Sequence, residues 1–530
     1  MMTKTTSLLR ALWPALALMM PMALMPAATV QAATLSAAPA LPALGDAGAD
    51  ELGIGAERRL GERIMKELRR DPDLLDDPLL QDYIDSLWQP LLAAARARGD
   101  LPDEQREQFA WATFLVRDRT VNAFALPGGH VGVHLGLIAV TTTRDELAAV
   151  LAHELSHVTQ RHIARSIATN RRQSMIGIAT MIAGILAASR SADAANAMIA
   201  GGQAVSAQGQ LNFSRDMERE ADRIGFGVLA SAGFAPEGMA GMFDRLQNAS
   251  RLNDSGQFPY LRSHPLTGER IAEARARLGV APAPAPAGPA ADEARWLHAA
   301  MQGRARALMD GRGETLGRLA GGVAWSGPAA STPEALSSAC AAALAAGRMK
   351  DWKVADAALA RARTLAAAHG VATQRAVQVL QIESLLERGQ AADATRQLSS
   401  SLLDGSRAGL MLSARIAALA GSDPAQAGRV REDLQTWVTV RPGDAGAWQA
   451  LARVSERLGQ PLAALRAQAE AQAAQGDLAG AVDRLRAGQR LSRSSGAVES
   501  MEGVVIESRL KALEQQRRAE MERERRGDED

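Results

Sequence analysis

Apolar residues along the chain follow a helical spacing in most segments and an extended spacing in one. Helical patterning runs over about 51–98 and resumes near Arg144, leading into the stretch LAHELSHVTQRH at 151–162. Apolar and polar residues alternate only over 121–126 and 130–134, on either side of a Pro-Gly-Gly turn. The pattern predicts a mainly α protein with a small β-sheet that contains a hairpin.

An Ala/Pro-rich segment, APAPAPAGPA, divides the chain, and we interpret 281–291 as a semi-rigid linker. The preceding residues 51–280 are predicted to form one α+β domain, with a further helix starting within 211–234. Inside this domain the apolar run 174–188 is too short to span a bilayer. It is either a buried helix or a mobile flap that meets lipid or unfolded substrate.

Residues 292–495 contain Ala/Leu-rich helices separated by short Gly turns. One unit, RPGDAGAWQALARVSERLGQPLAALRAQAEA, resembles a tetratricopeptide repeat, with Trp448 and Leu451 in its first helix and Ala464 in its second. Ser455 stands where that pattern has Tyr, and the other units match less well. The alternative is therefore a plain helical bundle. Residues 496–530 are predicted to be a charged helix or tail.

The N-terminus has the composition of a secretory signal peptide, predicted at 1–32 and followed by a flexible leader at 33–50. Lys4 and Arg10 precede an apolar run, and small residues end at Ala32. A membrane anchor is the alternative, but three prolines interrupt the run. We expect an exported protein located in a bacterial periplasm.

The composition bears on nucleic-acid binding, on core packing and on disulfide formation. Lys and Arg number 60 against 59 Asp and Glu, so a global basic field for nucleic acid is absent. Aromatic residues make up only 3%, which favours close helix packing through alanine and leucine. The single cysteine, Cys340, cannot form an intrachain disulfide and is predicted to be a small buried helix residue.

The motif HELSH carries the strongest chemical signal. His153 and His157 are four residues apart, so both imidazoles leave one face of a helix, a spacing that suits Zn²⁺. Glu154 can then act as the general base toward water. The alternative is a surface helix with two exposed histidines. The longer metzincin motif is excluded, because Gln160 and Ile163 occupy its glycine and last histidine positions.

The third ligand is sought elsewhere in the chain. On a continuing helix His162 would lie roughly half a turn away from His153, so we predict that it faces away from the metal. The segment RDMEREADRIG offers Glu218 and Asp222 on one helix face, with Glu220 pointing nearly opposite. Glu218 is predicted to bind zinc, while Asp222 accepts the free N–H of a ligand histidine.

Four segments in this order resemble the gluzincin metallopeptidases related to the CAAX prenyl proteases: NAFALPGGHVGVHLGLI, ELAAVLAHELSHVTQRH, SRDMEREAD and SHPLTGERI. The resemblance covers about residues 50–280. It implies a zinc endopeptidase with one Zn²⁺ per chain, held by His153, His157 and Glu218, with Glu154 as base.

With an exported chain and C-terminal helical repeats, the resemblance also implies quality control of unfolded or stalled outer-membrane β-barrel proteins. The repeats are expected to recruit such clients or the β-barrel assembly machinery, with peripheral membrane contact as an open option. A chaperone or scaffold with little proteolysis is the alternative function. The retained Glu154 favours an enzyme, since a binding protein would not need a base.

The strand after the Pro-Gly-Gly turn is expected to pair with an extended substrate backbone; it comprises Gly129, His130, Val131, Gly132 and Val133. His130 and His134 are predicted to face solvent or a cleft rather than a metal. In SHPLTGERI, His264 is either an ordinary loop residue or a zinc-facing latch that keeps the enzyme latent. Arg270 is expected to anchor that loop to an acidic neighbour such as Asp222.

Overall fold

The structure, a computed structural model, describes residues 52–169, 215–252, 258–279, 288–322, 331–398, 402–495 and 500–526. Several predictions fall outside these ranges, namely the signal peptide, the leader, the apolar run 174–188 and the Ala/Pro-rich part of the linker at 281–287. No helix in the described part of the chain combines the length and apolarity needed to cross a bilayer.

The small sheet has four strands within the described ranges: β1 (Leu74–Leu75), β2 (Ala112–Val116), β3 (Ala123–Leu126) and β4 (His130–His134). Their order is β1-β2-β4-β3. Strands β3 and β4 form the predicted antiparallel hairpin, and β4 pairs in parallel with β2 on its other side. Gly128 and Gly129 make the turn with φ of 76° and 86°, a left-handed backbone that favours glycine.

Helices surround this sheet in the N-terminal region. They are α1 (Ile54–Leu68), α2 (Pro78–Arg98), α3 (Asp103–Gln108), α4 (Leu135–Val140), α5 (Arg144–Thr159), α6 (His162–Thr169), α7 (Arg215–Ser231), α8 (Glu237–Leu252), α9 (Pro259–Ser263) and α10 (Gly268–Arg277). Helix α5 is the centre of this arrangement, because it contacts β3, α2, α7 and α8. Every residue from Glu146 to Thr159 is consequently buried.

The C-terminal region is entirely helical where it is described. Its helices are α11 (Pro289–Leu308), α12 (Gly313–Gly321), α13 (Pro333–Arg348), α14 (Trp352–Ala366), α15 (Val371–Glu387), α16 (Ala391–Gln397), α17 (Arg407–Ala417), α18 (Pro424–Val440), α19 (Ala445–Arg457), α20 (Pro461–Ala474), α21 (Leu478–Ser494) and α22 (Met501–Arg526). The mainly α fold with a small N-terminal sheet is therefore confirmed.

Small side chains allow these C-terminal helices to approach closely. At Gly303 of α11, an added Cβ would lie 2.2 Å from the carbonyl oxygen of Ser337 on α13. Helices α19 and α20, the best repeat unit of the sequence, pack against each other and bury Trp448 and Leu451. The helix pair is present, while its identity as a tetratricopeptide repeat stays a prediction.

The two regions share one hydrophobic core. Buried residues of α2, such as Tyr83, belong to the same cluster as Trp296 and Met301 of α11. Polar contacts cross the same boundary, since the Arg304 guanidinium donates to Asp77 at the start of α2. The proposed division into separate domains near residue 281 stays a prediction, and the described residues on both sides pack as one compact unit.

Candidate metal centre

Helix α5 places the first three residues of the site. It begins after Thr143, whose hydroxyl accepts a hydrogen bond from the Glu146 backbone N–H at 3.1 Å and caps the helix. Further along the same helix, the four-residue spacing brings the Nε2 atoms of His153 and His157 to 3.0 Å from each other. The two imidazoles thus present nitrogen atoms toward one point inside the protein.

Glu218 of α7 reaches the same point from a second helix. Its carboxylate oxygens lie 3.5 Å from His153 Nε2 and 3.4 Å from His157 Nε2. This approach is possible because α7 presents small residues to α5: Ala221 is fully buried, and a Cβ added at Gly225 would lie 3.1 Å from the carbonyl oxygen of Ala152.

His264 supplies a fourth group, directly after helix α9. Its Nδ1 lies 3.0 Å from Glu218 Oε1 and 3.3 Å from His153 Nε2. Ligand atoms of His153, His157, Glu218 and His264 all lie within 4.8 Å of one another, and all four residues are buried. Tetrahedral ligands at zinc–nitrogen distances of about 2.0–2.1 Å are separated by roughly 3.3 Å. The nitrogen and oxygen donors here therefore fit zinc in both type and spacing.

Glu154 lies beside this cluster and points toward the sheet. Its Oε2 accepts a hydrogen bond from the backbone N–H of Ala125 on β3 at 3.1 Å, and its Oε1 lies 3.6 Å from His264 Nε2. The carboxyl group is fully buried, and burial raises its pKa. A carboxylate with a raised pKa is suited to accept a proton near neutral pH.

Asp222 and Arg270 contact His153 and Glu218 and hold them in place. Asp222 Oδ1 lies 2.9 Å from His153 Nδ1, and the Arg270 guanidinium donates to both Asp222 oxygens at 2.6 and 2.8 Å. A further Arg270 nitrogen lies 2.8 Å from Glu218 Oε2. Burial raises the pKa of Asp222, but hydrogen bonds from Arg270 and His153 outweigh it and hold that pKa below its usual range. Asp222 therefore stays a carboxylate.

His162 does not face away from the site, and the prediction that it lies on the helix surface is wrong. Helix α5 ends at Thr159, and Arg161 adopts φ of 52°, so the chain turns before His162 begins α6. His162 is fully buried, with its Nδ1 2.9 Å from His157 Nδ1. Its Nε2 lies 3.0 Å from Oε2 of Glu220, a residue that we expected to point away from the site. Sequence reasoning missed this pair because it assumed an unbroken helix.

The predicted substrate strand is also corrected. Strand β4, which holds residues 130–133, has β2 on one side and β3 on the other, so its backbone is already paired at both edges. Within the described residues the sheet edge beside the site is β3 instead. His130 and His134 are 7% and 4% exposed, so of the two expected surroundings, solvent or a cleft, solvent is wrong.

Comparisons with known proteins point to peptidases. The sequence profile of peptidase family M48 matches residues 78–278. The beta-barrel assembly-enhancing protease of Escherichia coli K12 is 35% identical over 240 residues, which are 45% of this chain and 47% of that protein. A Vibrio cholerae protein that bears this name provisionally is 39% identical over 237 residues, again 45% of this chain and 47% of that protein.

A more distant relative is the mitochondrial metalloendopeptidase OMA1 of Saccharomyces cerevisiae. It is 28% identical over 193 residues, which are 36% of this chain and 53% of that protein. The chain spans about half the length of the curated relatives from Vibrio and Escherichia. The residues that the family profile matches, 78–278, include every member of the cluster described above.

Proposed function

We propose that the protein is a zinc-dependent endopeptidase of peptidase family M48, whose profile matches residues 78–278. We place it in the bacterial periplasm, in quality control and assembly of outer-membrane β-barrel proteins. The single observation that carries the chemical part is the convergence of His153, His157 and Glu218 beside the buried carboxylate of Glu154. The names of the relatives and the signal-peptide composition support the cellular part.

The arrangement assigns each residue a task. His153, His157 and Glu218 hold the metal, which when bound polarises the scissile carbonyl and makes water more acidic. Glu154 accepts a proton from the attacking water and passes it to the leaving amine. The Ala125 N–H keeps the Glu154 carboxylate oriented during both transfers.

Strand β3 offers a place for an extended client. All four residues of β3 lie opposite residues of β4. Because the Asn122 carbonyl accepts from the His134 N–H, the antiparallel pattern directs the backbone groups of Phe124 and Leu126 to β4 and those of Ala123 and Ala125 away from it. The Ala125 N–H accordingly points toward Glu154. A peptide that adds to this edge must be unstructured or a strand edge, which suits misfolded or stalled β-barrel clients.

The segment that carries His264 closes this edge. The backbone N–H of Tyr260 in α9 donates to the Val121 carbonyl just before β3, at 3.4 Å, and the Tyr260 ring stacks on His264. His153, Glu154 and His157 are at most 2% exposed. A peptide therefore reaches the site only when this segment moves, and we assign His264 the role of a latch. The C-terminal helices then serve to recruit clients or the β-barrel assembly machinery.

A comparison of Glu154→Gln with wild type tests the proposal. The purified wild-type chain is expected to hold about one zinc by elemental analysis, and the variant to hold the same amount. Casein cleavage by the variant is expected to fall by about 10²–10⁴-fold, the usual contribution of a general base. The control is Glu107→Gln, which removes a carboxylate that is 70% exposed and leaves cleavage unchanged.

A wild-type chain without zinc, or a Glu154→Gln variant that cleaves casein normally, would contradict the enzymatic proposal. The cellular proposal has its own readout. If Glu154→Gln restores outer-membrane integrity in a deletion strain as well as wild type does, the alternative of a chaperone or scaffold is favoured. Clients trapped by the same variant and identified by mass spectrometry are expected to be outer-membrane β-barrel proteins.

A further inference from the structure

The two ligand histidines of helix α5 are supported by different groups. His153 Nδ1 faces the carboxylate of Asp222, which is an ordinary partner for a metal-binding histidine. His157 Nδ1 faces a second imidazole, that of His162, at 2.9 Å. Both imidazoles are fully buried, so water cannot replace this contact.

His162 is in turn held by a carboxylate on a separate helix. Its Nε2 lies 3.0 Å from Glu220 Oε2, and the Arg165 guanidinium donates to the same oxygen at 2.9 Å. A guanidinium can only donate, so this Glu220 oxygen acts as an acceptor. A hydrogen bond between His162 Nε2 and this Glu220 oxygen therefore requires the proton to be on Nε2.

The positions of the protons follow from this chain of contacts. Binding a metal through His157 Nε2 requires a lone pair on that atom, which places the His157 proton on Nδ1. That proton is donated to His162 Nδ1, so the proton of a neutral His162 is on Nε2 and is donated to Glu220. In the opposite arrangement, the His157 proton would occupy the metal-binding nitrogen, and a His162 lone pair would face the Glu220 carboxylate.

We propose that His162, fixed by Glu220, is a positioning residue that holds His157 in the tautomer and ring orientation needed to bind the metal. The assignment rests on the proposed zinc site. It gives His157 the support that Asp222 gives His153, but through an intervening imidazole. Since α6 carries His162 and α7 carries Glu220, the pair also ties both helices to the end of α5.

Zinc affinity of the purified full-length chain is the direct test, measured by competition with a chromophoric chelator. His162→Phe keeps a ring in the space but removes the acceptor for His157 Nδ1–H. Its zinc affinity is expected to fall by about 10–100-fold, as for other losses of a group that supports a metal ligand. His162→Asn places an amide oxygen near the former Nδ1 and is expected to regain most of that loss.

A second pair of variants tests the carboxylate. Glu220→Ala is expected to weaken zinc binding several-fold, less than His162→Phe does. The matched control is Asp216→Ala, which removes the same charge from the same helix at a side chain that is 85% exposed. Its zinc affinity is expected to equal that of wild type, so that general attraction of the cation is separated from the effect of the hydrogen bond.

Several outcomes would overturn the assignment. Wild-type zinc affinity in His162→Phe would do so, and so would equal losses in His162→Phe and His162→Asn, because that would indicate packing alone. If His162→Phe fails to fold by circular dichroism, Glu220→Ala and Asp216→Ala decide, and equal affinities of these two reject the assignment. A wild-type chain that binds no zinc would instead refute the proposed function itself, together with everything that rests on it.

Discussion

The N-terminal region (52–279) and the C-terminal region (288–526) bury different kinds of side chain. Among the described residues, the N-terminal region buries many ionisable groups: Glu57, Asp71, Asp77, His130, His134, Glu146, His153, Glu154, His157, His162, Glu218, Asp222, His264 and Arg270. Where it is described, the C-terminal region buries mainly alanine and leucine, a few hydroxyl and amide groups, the basic residues His298 and Arg304, and the thiol of Cys340.

The difference reflects what each region has to do. A buried charge is unfavourable unless it is paired or hydrogen-bonded, so a region that retains many of them needs a specific network. A region that packs through small apolar side chains accepts many sequences as long as total volume is kept. The N-terminal region therefore contains the motifs from which a function can be predicted. The C-terminal region is recognisable mainly by its arrangement of helices.

The largest effect expected from a single side chain comes from the buried charge that joins the two regions. Arg304 donates to Asp77, which caps α2, and to Glu383 of α15, and Arg304→Ala leaves both carboxylates without this partner. The free energy of unfolding is expected to fall by about 3–5 kcal/mol, as for other broken buried pairs. Urea unfolding followed by circular dichroism measures it. Arg318→Ala, at a side chain that is 71% exposed, is the control and should cost less than about 1 kcal/mol. Similar costs for the two variants would contradict a shared core held by Arg304.

Acid sensitivity should be concentrated in the N-terminal region. Burial lowers the pKa of His130 and of His134 from 6.5 to about 4. The unfolded chain therefore binds more protons than the folded chain between these values, and stability falls as pH decreases from about 6.5 to 4. The loss is up to roughly 3 kcal/mol per residue. Urea unfolding between pH 7.5 and 4.5 checks it, and the double variant H130Q/H134Q should show a shallower decline. Equal slopes would show that other groups dominate.

Opening the latch should change activity more than stability. A closed protein typically populates an open state at about 0.1–10%, so His264→Ala is expected to raise casein cleavage by about 10-fold or more. Initial rates at equal zinc content measure the change, and self-cleavage should rise with them. Ser263→Ala, in the preceding residue, is the control and should leave the rate near that of wild type. Unchanged or lost activity in His264→Ala would reject the latch.

The smallest effect concerns the single thiol of the C-terminal region. Cys340 is 3% exposed, and burial raises the pKa of its thiol to about 12. The folded chain should therefore not react with iodoacetamide at pH 8, whereas the chain in urea should react fully. Mass spectrometry distinguishes the two. Rapid labelling of the folded chain would mean that α13 packs less tightly than its alanine contacts indicate.

Features that depend on neighbours in sequence were predictable. The turn glycines and the alternation on either side of them led to the β3–β4 hairpin. The four-residue spacing placed His153 and His157 on one helix face. The Glu218 assignment needed one further step, a second helix with small residues that lets a carboxylate approach, and the structure brings that carboxylate to the two histidines.

Features that depend on a single backbone angle or on the order of strands in the sheet could not be predicted from the sequence. The break after α5 falls at Arg161, which has φ of 52° without being glycine, and no proline or glycine marks it. Without that break His162 and Glu220 cannot meet. Strand alternation likewise says nothing about which strand becomes internal, so it cannot show that β4 lies between β2 and β3. Tertiary contacts decide both points.

The contact between Arg304 and Asp77 limits which C-terminal regions could be joined to this N-terminal region. The matched relatives correspond to less than half of this chain, yet α11 and α2 contribute to one core. An exchange of C-terminal regions between relatives would therefore bring a different helix surface against α2. That surface would need a cation in the place of Arg304 to pair with Asp77. Because the two regions pack as one core, such an exchange would have to preserve the contacts between α11 and α2 as well as the fold of each region.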